Sequence, residues 1–263
     1  MNTVQSPEAA RPPSDAASRQ LVLQLAEAHR SGSRIDPDPS LVPDTLDDAY
    51  SLQAQIQAEL GWSWAGWKSG AQAVGAPTRF GPFFAHQVVR SPARRPRGDF
   101  AFCGVEAEIA FILGEKAAVL GANSDRETIM GAVASVHYAI EVVDSRLARF
   151  PEVPPFAIVS DNQCSGLLVV GDEIPGWAGQ DLAALRPQLE FDGGLLAPFV
   201  GNPGGAPLDA LRLLAAHCHR HGLVLEAGMT VLTGSCTGLK RAPGRGLVTV
   251  VCDGRPRTEL FLA

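Results

Sequence analysis

Two glutamates alternate with apolar residues in the stretch GVEAEIAFILG, residues 104–114. Side chains of a β-strand point to opposite faces in turn, so Glu106 and Glu108 share one face and the apolar residues share the other. Two ionised carboxylates in a partly buried place repel each other and lose hydration unless a cation lies between them. The pair therefore indicates a site for positive charge.

A third acid, Glu141, lies in the apolar sequence YAIEVVDSR, where Asp144 and Arg146 follow it. Three carboxylates, completed by water and substrate oxygens, are typical ligands of Mg²⁺ or Mn²⁺, whereas zinc and copper prefer His or Cys. The alternative is that Glu106 and Glu108 face solvent on an edge strand or pair with arginines. For an isolated alternation of this kind, that alternative is favoured.

A second cluster of possible ligands is HCHRHG, residues 217–222. On a helix His217 and His221 share a face, as zinc ligands can, but no matching third ligand is evident. Histidines also suit the dipole at a helix C-terminus, so we predict an exposed helix end here.

Composition excludes several classes of protein. The chain has 263 residues, 46% hydrophobic and 19% charged, which is typical of a globular protein with a sizeable core. Its formal net charge is −6. The one basic run, RSPARRPR at residues 90–97, contains two prolines and is interpreted as a solvated connector, with a phosphate-binding patch as the less favoured alternative. Nucleic acid is not an expected partner.

The five cysteines are odd in number and widely spaced in apolar sequence, which indicates neither a disulfide framework nor a metal site and favours the cytoplasm. No apolar run approaches the ~20 residues of a membrane span, so no membrane partner is expected. Residues 1–17 lack the features of a signal peptide and are predicted to be a disordered tail.

The elements that must position the acids fall into two parts. Residues 18–62 carry two helical patterns, SRQLVLQLAEAHRSG and LDDAYSLQAQIQAEL, and are predicted to form an N-terminal helical lobe. Residues 63–263 are predicted to form a β-rich body of short apolar runs separated by Gly and Pro. Two helices are predicted within the body, at residues 125–144 and 207–222. This order favours an α+β fold.

Five motifs occur together in order: GWKSG, VEAEIAFIL, AIEVVDSR, DNQCSGLLVVGD and LTGSCTG. With them, from about Gln20 to the C-terminus, the sequence resembles the 2-keto-4-pentenoate hydratase and 4-oxalocrotonate decarboxylase family of the fumarylacetoacetate hydrolase-like superfamily. The resemblance implies a mixed β-sheet roll of the fumarylacetoacetate hydrolase C-terminal type with flanking helices and the small helical lobe. It also implies a homo-oligomer, possibly with a related decarboxylase or hydratase subunit.

The resemblance maps divalent-metal ligands onto Glu106, Glu108 and Glu141, and an active-site lysine onto Lys68. A lysine there can pair with a substrate carboxylate or, with a lowered pKa, move protons. DNQCSG is similar to the family's DNASxG loop, so the resemblance makes Asn162 and Ser165 candidate substrate-binding residues, with Ser235 and Thr237 of GSCTG as further candidates. Without it, both stretches are ordinary turns.

One position departs from the family. Many of its hydratases carry an acid for proton transfer in a PDFG-like segment after the lysine motif, and this chain has Arg79 in APTRFGPFF. Arginine clamps carboxylates but is a poor general base. We expect Arg79 either to alter substrate choice or to face solvent.

The chemistry implied is that of a metal-dependent lyase on a small 2-oxo, or 2-hydroxydienoic, acid in aromatic catabolism, and a hydratase is preferred. A decarboxylase is the second choice, because the same metal-bound 2-oxo acid can accept the electrons left when carbon dioxide departs. Hydrolysis of an acylpyruvate C–C bond needs a base, for which His86 is a lone candidate. A non-catalytic homologue is the remaining alternative, and Arg79 is its only support.

Overall fold

The computed structural model describes residues 16–71 and 73–263. The predicted tail lies outside the described residues except for its last two, Ala16 and Ala17, which already belong to the first helix. Helices in the described chain are α1 (Ala16–Ser31), α2 (Leu46–Leu60), α3 (Arg126–Gly131), α4 (Pro155–Ser160) and α5 (Pro207–Arg220). No helix of this part of the chain has the length and apolar character to cross a membrane.

Both helices expected near the N-terminus are present. The Thr45 hydroxyl accepts a hydrogen bond from the Asp48 amide and begins α2, and Gly61 ends it in the left-handed conformation at φ 66°. Leu25 of α1 and Ile56 of α2 are fully buried in one apolar cluster, which also contains Phe84. The apolar stripes of the two helices therefore bury each other and rest on the β-rich body.

The strands of the described chain form two mixed sheets. Their bounds are β1 (Trp64–Gly70), β2 (Arg79–Phe84), β3 (Val88–Arg90), β4 (Ala93–Arg95), β5 (Gly104–Leu113), β6 (Val133–Val143), β7 (Ser165–Glu173), β8 (Gln188–Phe191), β9 (Gly194–Ala197), β10 (Thr230–Ser235), β11 (Lys240–Arg241), β12 (Gly246–Cys252) and β13 (Arg255–Leu262). The larger sheet has the order β2-β1-β10-β5-β6-β7-β3, with β11 beside β5, and the smaller has the order β4-β13-β12-β8-β9.

The smaller sheet covers one face of the larger. Val105, Ile109 and Phe111 of β5 share an apolar cluster with Val250 and Leu260 of the smaller sheet. The opposite face of β5 carries the two glutamates and Ala110, which packs with Leu168 and Leu232 of neighbouring strands. This two-sheet roll with flanking helices confirms the α+β fold predicted from the sequence.

Two local predictions are wrong. The helix expected at residues 125–144 ends at Gly131, and the rest is the long strand β6. Its Val- and Ile-rich run is buried on both faces, and such a run has no clear helical or alternating period. The basic run at residues 90–97 is not a plain connector either, because Val88–Arg90 and Ala93–Arg95 each add an edge strand to a sheet.

The histidine-rich end of α5 also differs from the predicted exposed helix end. His217 is only 7% exposed, and its ring stacks on Phe80 at 4.6 Å and packs against Tyr50 at 4.3 Å between centroids. Burial lowers the pKa of His217 from 6.5 to about 3, helped by the nearby His221 and Arg220. His217 is thus a neutral core residue, although α5 itself lies where it was predicted.

This burial predicts a pH-dependent stability. Between about pH 3 and pH 6.5 the unfolded chain binds a proton at His217 that the folded chain rejects, so stability is lost as pH falls through 6.5. When the pH is lowered from about 7.5 to about 5.5, the free energy of unfolding, measured with urea, should fall by about 1 kcal/mol more in the parent than in His217→Leu. His219→Leu, at an exposed position of the same helix, is the control. Equal losses in the parent and His217→Leu would contradict the assignment.

Candidate active site

Strand pairing brings the three predicted acids together. Glu106 of β5 lies directly opposite Glu141 of β6 in the antiparallel ladder, and Glu108 is two residues further along the same face. One carboxylate oxygen from each of the three lies within 4.8 Å of the others. We call Glu106, Glu108 and Glu141 the carboxylate cluster.

The carboxylate cluster is buried, and its charges oppose each other. Glu108 is 2% exposed and Glu141 is fully covered, whereas Glu106 keeps part of its surface open. Burial and the neighbouring Glu141 carboxylate raise the pKa of Glu106 to about 7. Burial, with the carboxylates of Glu141 and Glu106, holds the pKa of Glu108 well above its usual range. The cluster is therefore short of positive charge.

Lys68 supplies one cation from the neighbouring part of the sheet. Its strand, β1, pairs with β10, and the Lys68 ammonium donates hydrogen bonds to the Glu141 carboxylate and, at 3.1 Å, to the Gln163 carbonyl. Burial alone would lower the pKa of Lys68, but the carboxylates of Glu141 and Glu106 outweigh it and raise the pKa. Lys68 is thus paired with the carboxylate cluster.

The donor set fits a hard divalent cation. Oε2 of Glu141 is buried without a hydrogen-bond partner, while Oε2 of Glu108 accepts a hydrogen bond from the Gly234 amide at 2.8 Å. An unpaired buried carboxylate oxygen is costly unless a ligand satisfies it. All three side chains offer oxygen, which suits Mg²⁺ or Mn²⁺ better than zinc or copper.

The loop at Asn162–Cys164 borders this site. Its three residues all have left-handed backbones, with φ of 50°, 54° and 57°, which is uncommon for residues other than glycine. Asn162 is 1% exposed, and neither polar atom of its amide has a partner. The Ser165 hydroxyl instead donates to the Asn162 carbonyl at 2.8 Å. The side-chain amide of Asn162 thus lacks hydrogen-bond partners, whereas the Ser165 hydroxyl stabilises the loop.

The two candidates from GSCTG also differ in their surroundings. Ser235, at the end of β10, pairs in register with Glu108, and its hydroxyl oxygen is buried without a hydrogen-bond partner. Thr237 is buried, and its hydroxyl accepts a hydrogen bond from the Ala107 amide at 3.1 Å. Ser235 therefore lies at the carboxylate cluster, whereas Thr237 fixes the strand that carries it.

Arg79 begins β2 on the face of the sheet that carries Lys68. Arg79 pairs with Gly70, and Gly81, two residues later, pairs with Lys68 itself. Because antiparallel partners and alternate residues share a face, the Arg79 side chain leaves the sheet on the same side as the lysine. Its Nη1 atom is buried without a partner. Arg79 is thus not an exposed loop residue.

Sequence reasoning did not assign a role to the side chains that hold the loops around the site, or to two backbone groups within it. The fully buried Asp161 accepts hydrogen bonds from the Ser145 hydroxyl and the Arg146 Nε, at 2.7 and 2.5 Å, while Arg34 donates to Asp144 at 2.5 Å. The available signal was the charged ends of AIEVVDSR and DNQCSG. The carbonyl of Gln163 and the amide of Gly234 leave no sequence signal, because every residue has these groups.

A buried cluster of three carboxylates with a lysine, on a mixed two-sheet roll, defines an enzyme-like site, and relatives identify its family. The chain is 32% identical over 249 residues to a 2-keto-4-pentenoate hydratase of Paraburkholderia phymatum, covering 89% of this chain and 93% of the relative. It is 30% identical over 234 residues to the TodF product hydratase of Pseudomonas putida, covering 83% and 85%. No protein-family model matches the sequence.

Among solved structures, 4-oxalocrotonate decarboxylase from Pseudomonas putida G7, complexed with magnesium and adipate, superposes with a TM-score of 0.77 at 22% identity, covering 93% of this chain and 98% of that one. The chain belongs to the 2-keto-4-pentenoate hydratase and 4-oxalocrotonate decarboxylase family, with the fumarylacetoacetate hydrolase-like fold. The family suggested by the five sequence motifs is thereby confirmed.

The close approach of β2 to the Asn162–Cys164 loop predicts an intolerant glycine. A methyl group added at Gly81 would lie 2.3 Å from the Asn162 carbonyl oxygen, so Gly81→Ala must displace the loop. We expect Gly81→Ala to lower the free energy of unfolding, measured with urea, by about 1 to 3 kcal/mol, which is the typical cost of overpacking a core. Gly98→Ala, where nothing lies within 4 Å, is the matched control. If Gly81→Ala were as stable as Gly98→Ala, the contact would be of no consequence.

The raised pKa of Glu106, about 7, predicts how a divalent ion affects stability. Between pH 4.5 and about 7 the folded protein holds a proton that the unfolded chain releases, so the metal-free protein loses stability as pH rises. A divalent ion must replace that proton. Saturating Mg²⁺ or Mn²⁺ should therefore raise the melting temperature by about 5 °C at pH ~8 and by much less at pH ~5.5.

Glu106→Gln should abolish most of that gain, whereas Glu127→Gln, an exposed glutamate of α3, should keep it. Thermal unfolding with and without EDTA measures both. An equal gain at the two pH values, or in Glu106→Gln, would show that the ion binds elsewhere.

Proposed function

We propose that this chain is a divalent-metal-dependent lyase acting on a small 2-oxo, or 2-hydroxydienoic, acid, and that it is a hydratase similar to 2-keto-4-pentenoate hydratase, working in aromatic catabolism. The observation that carries the proposal is the convergence of the carboxylate cluster and Lys68 on one buried face of the sheet. The hydratases among its relatives support the reaction type.

The carboxylate cluster would hold Mg²⁺ or Mn²⁺ through one oxygen from each glutamate. When bound, such an ion supplies Lewis acidity towards the carboxylate and oxo oxygens of a 2-oxo acid. Glu106 is the member with exposed surface, so substrate would approach from its side. The amide of Gly234 keeps the Glu108 side chain in place through its 2.8 Å hydrogen bond.

Lys68 and Asn162 would bind and orient the substrate. The Lys68 side chain, which lies against the Glu141 carboxylate, would pair with a substrate carboxylate or exchange a proton with the substrate. The unpartnered amide of Asn162 offers both a donor and an acceptor to the same ligand. The Lys68 ammonium is already held by its hydrogen bonds to the Glu141 carboxylate and the Gln163 carbonyl, so it needs little rearrangement when substrate binds.

Decarboxylation is the second candidate, favoured by the structural similarity to 4-oxalocrotonate decarboxylase. The other two alternatives have less support. His86 lines a separate pocket together with His29 and Arg34. No residue of the carboxylate cluster lines that pocket, which does not favour His86 as a hydrolytic base at the cluster. Retention of the carboxylate cluster with Lys68 argues against a non-catalytic homologue. The homo-oligomer and the cytoplasmic location expected from the sequence remain predictions.

A turnover assay tests the proposal. Loss of the ultraviolet absorbance of 2-hydroxypenta-2,4-dienoate is expected with Mg²⁺ or Mn²⁺ present and is not expected after EDTA treatment. Glu106→Gln and Lys68→Ala should each lower kcat/KM by about 100-fold or more, because each removes a group that contacts the ion or substrate. Carbon dioxide release from a six-carbon unsaturated 2-oxo diacid should be followed in parallel, since it separates decarboxylase from hydratase.

Lys116→Ala, at an exposed lysine between β5 and α3, is the matched control and should leave kcat/KM unchanged. If neither the dienoate nor the diacid is turned over with either ion, the proposed activity is wrong and the non-catalytic alternative gains support.

A further inference from the structure

Strand β10 contains a bulge beside the carboxylate cluster. Leu232 of β10 pairs in register with Ala110 of β5. The next pair joins Ser235 to Glu108, so β10 has two residues between the pairs where β5 has one. A bulge of this kind interrupts the regular ladder and turns backbone groups towards other partners. Here the Gly234 amide donates its hydrogen bond to Oε2 of Glu108, at 2.8 Å.

The bulge has a backbone conformation that favours glycine and a close neighbour that requires it. Gly234 has a φ of 105°, which other residues rarely adopt. A methyl group added at Gly234 would lie 2.8 Å from Oδ1 of Asn202. The Asn202 side chain therefore packs directly on the residue whose amide holds Glu108.

Asn202 binds the backbone of both bulge residues. Its Nδ2 atom donates to the Thr233 carbonyl at 2.7 Å and to the Gly234 carbonyl at 3.3 Å. Its Oδ1 atom accepts a hydrogen bond from the Gly204 amide at 2.8 Å. The asparagine side chain is thus fixed by its own loop, and it fixes the bulge in turn.

The loop that carries Asn202, residues 198–206 between β9 and α5, is also attached beyond the bulge. The Val200 amide donates to the Cys236 carbonyl at 2.9 Å. The Cys236 amide donates to the Ala107 carbonyl at 2.8 Å, and Ala107 stands between the two glutamates of β5. The loop therefore grips β10 on both sides of the residues that face the carboxylate cluster.

We propose that Asn202 is a positioning residue of the site: it holds the bulge so that the Gly234 amide fixes the Glu108 carboxylate for a divalent ion. This inference rests on the proposed function, which places Mg²⁺ or Mn²⁺ at the carboxylate cluster. Asn202 acts through backbone groups and not by binding the ion. Groups that orient a metal ligand in this way commonly change metal affinity by about 10- to 100-fold.

Amide hydrogen exchange tests the first step without metal. In the EDTA-treated full chain, NMR should show the Gly234 amide exchanging about tenfold or more faster in Asn202→Ala than in the parent. The Gly114 amide, which donates to the Ala132 carbonyl at 2.7 Å, is the reference and should exchange equally in both proteins. Equal exchange at Gly234 would overturn the inference.

Mn²⁺ binding tests the second step. Free Mn²⁺, measured by electron paramagnetic resonance, should give a dissociation constant about tenfold higher in Asn202→Ala. Asn202→Leu, of similar shape but without polar side-chain atoms, should lose as much. Asn123→Ala, at an exposed asparagine between β5 and α3, is the control and should keep the parent constant. A parent constant retained in Asn202→Ala would overturn the inference.

A double-mutant cycle separates positioning of Glu108 from general loosening of the fold. If Asn202 acts through Glu108, adding Asn202→Ala to Glu108→Gln should weaken Mn²⁺ binding by less than about twofold. The full tenfold loss in the Glu108→Gln background would show that Asn202 affects the ion by another route, and the inference would be wrong.

Failure of the inference can be told from failure of the proposed function. If the parent binds Mn²⁺ in a manner that needs Glu106, tested with Glu106→Gln, and Asn202→Ala binds it equally well, then the proposed site stands and the role of Asn202 is wrong. If the parent binds neither Mn²⁺ nor Mg²⁺, both proposals are overturned.

Discussion

Burial of three carboxylates on one face of a sheet is the constraint on which the rest of this structure depends. Each ionised acid in the carboxylate cluster is opposed by the others and by loss of water, as the raised pKa values of Glu106 and Glu108 show. The structure holds them there because the opposite face of β5 is locked into the core under the smaller sheet. Apolar burial on one face thus holds a charged arrangement on the other.

A second charged layer, made of structural ion pairs, supports the site. Buried Arg146 donates to the Asp161 carboxylate and carbonyl and to the Ser165 carbonyl, which ties the end of β6 to the start of β7. Asp161 directly precedes Asn162, so this network fixes the backbone of the left-handed loop. Such pairs position groups more than they stabilise the fold, because desolvation offsets much of their attraction.

Family membership and local structure answer different questions about function. The family indicates the class of reaction, whereas the roles of the carboxylate cluster and Lys68 rest on local geometry. Arg79 Nη1 and Gln163 Oε1 are buried without hydrogen-bond partners, and the Gln163 carbonyl accepts a hydrogen bond from Lys68. One fold accommodates many substrates through local differences in its site, so overall similarity alone does not identify the substrate.

The sequence by itself determined the acids, because Glu106 and Glu108 alternate in a strand and strand geometry puts both on one face. It also determined the helices around residues 16–31, 46–60 and 207–220, because their apolar periods are clear. Only tertiary structure decided that residues 133–143 are a strand, since a doubly buried run has no distinguishing period. It also decided what Arg79, His217 and Gln163 face, because burial and unsatisfied hydrogen bonds arise from packing between segments that are far apart in the chain.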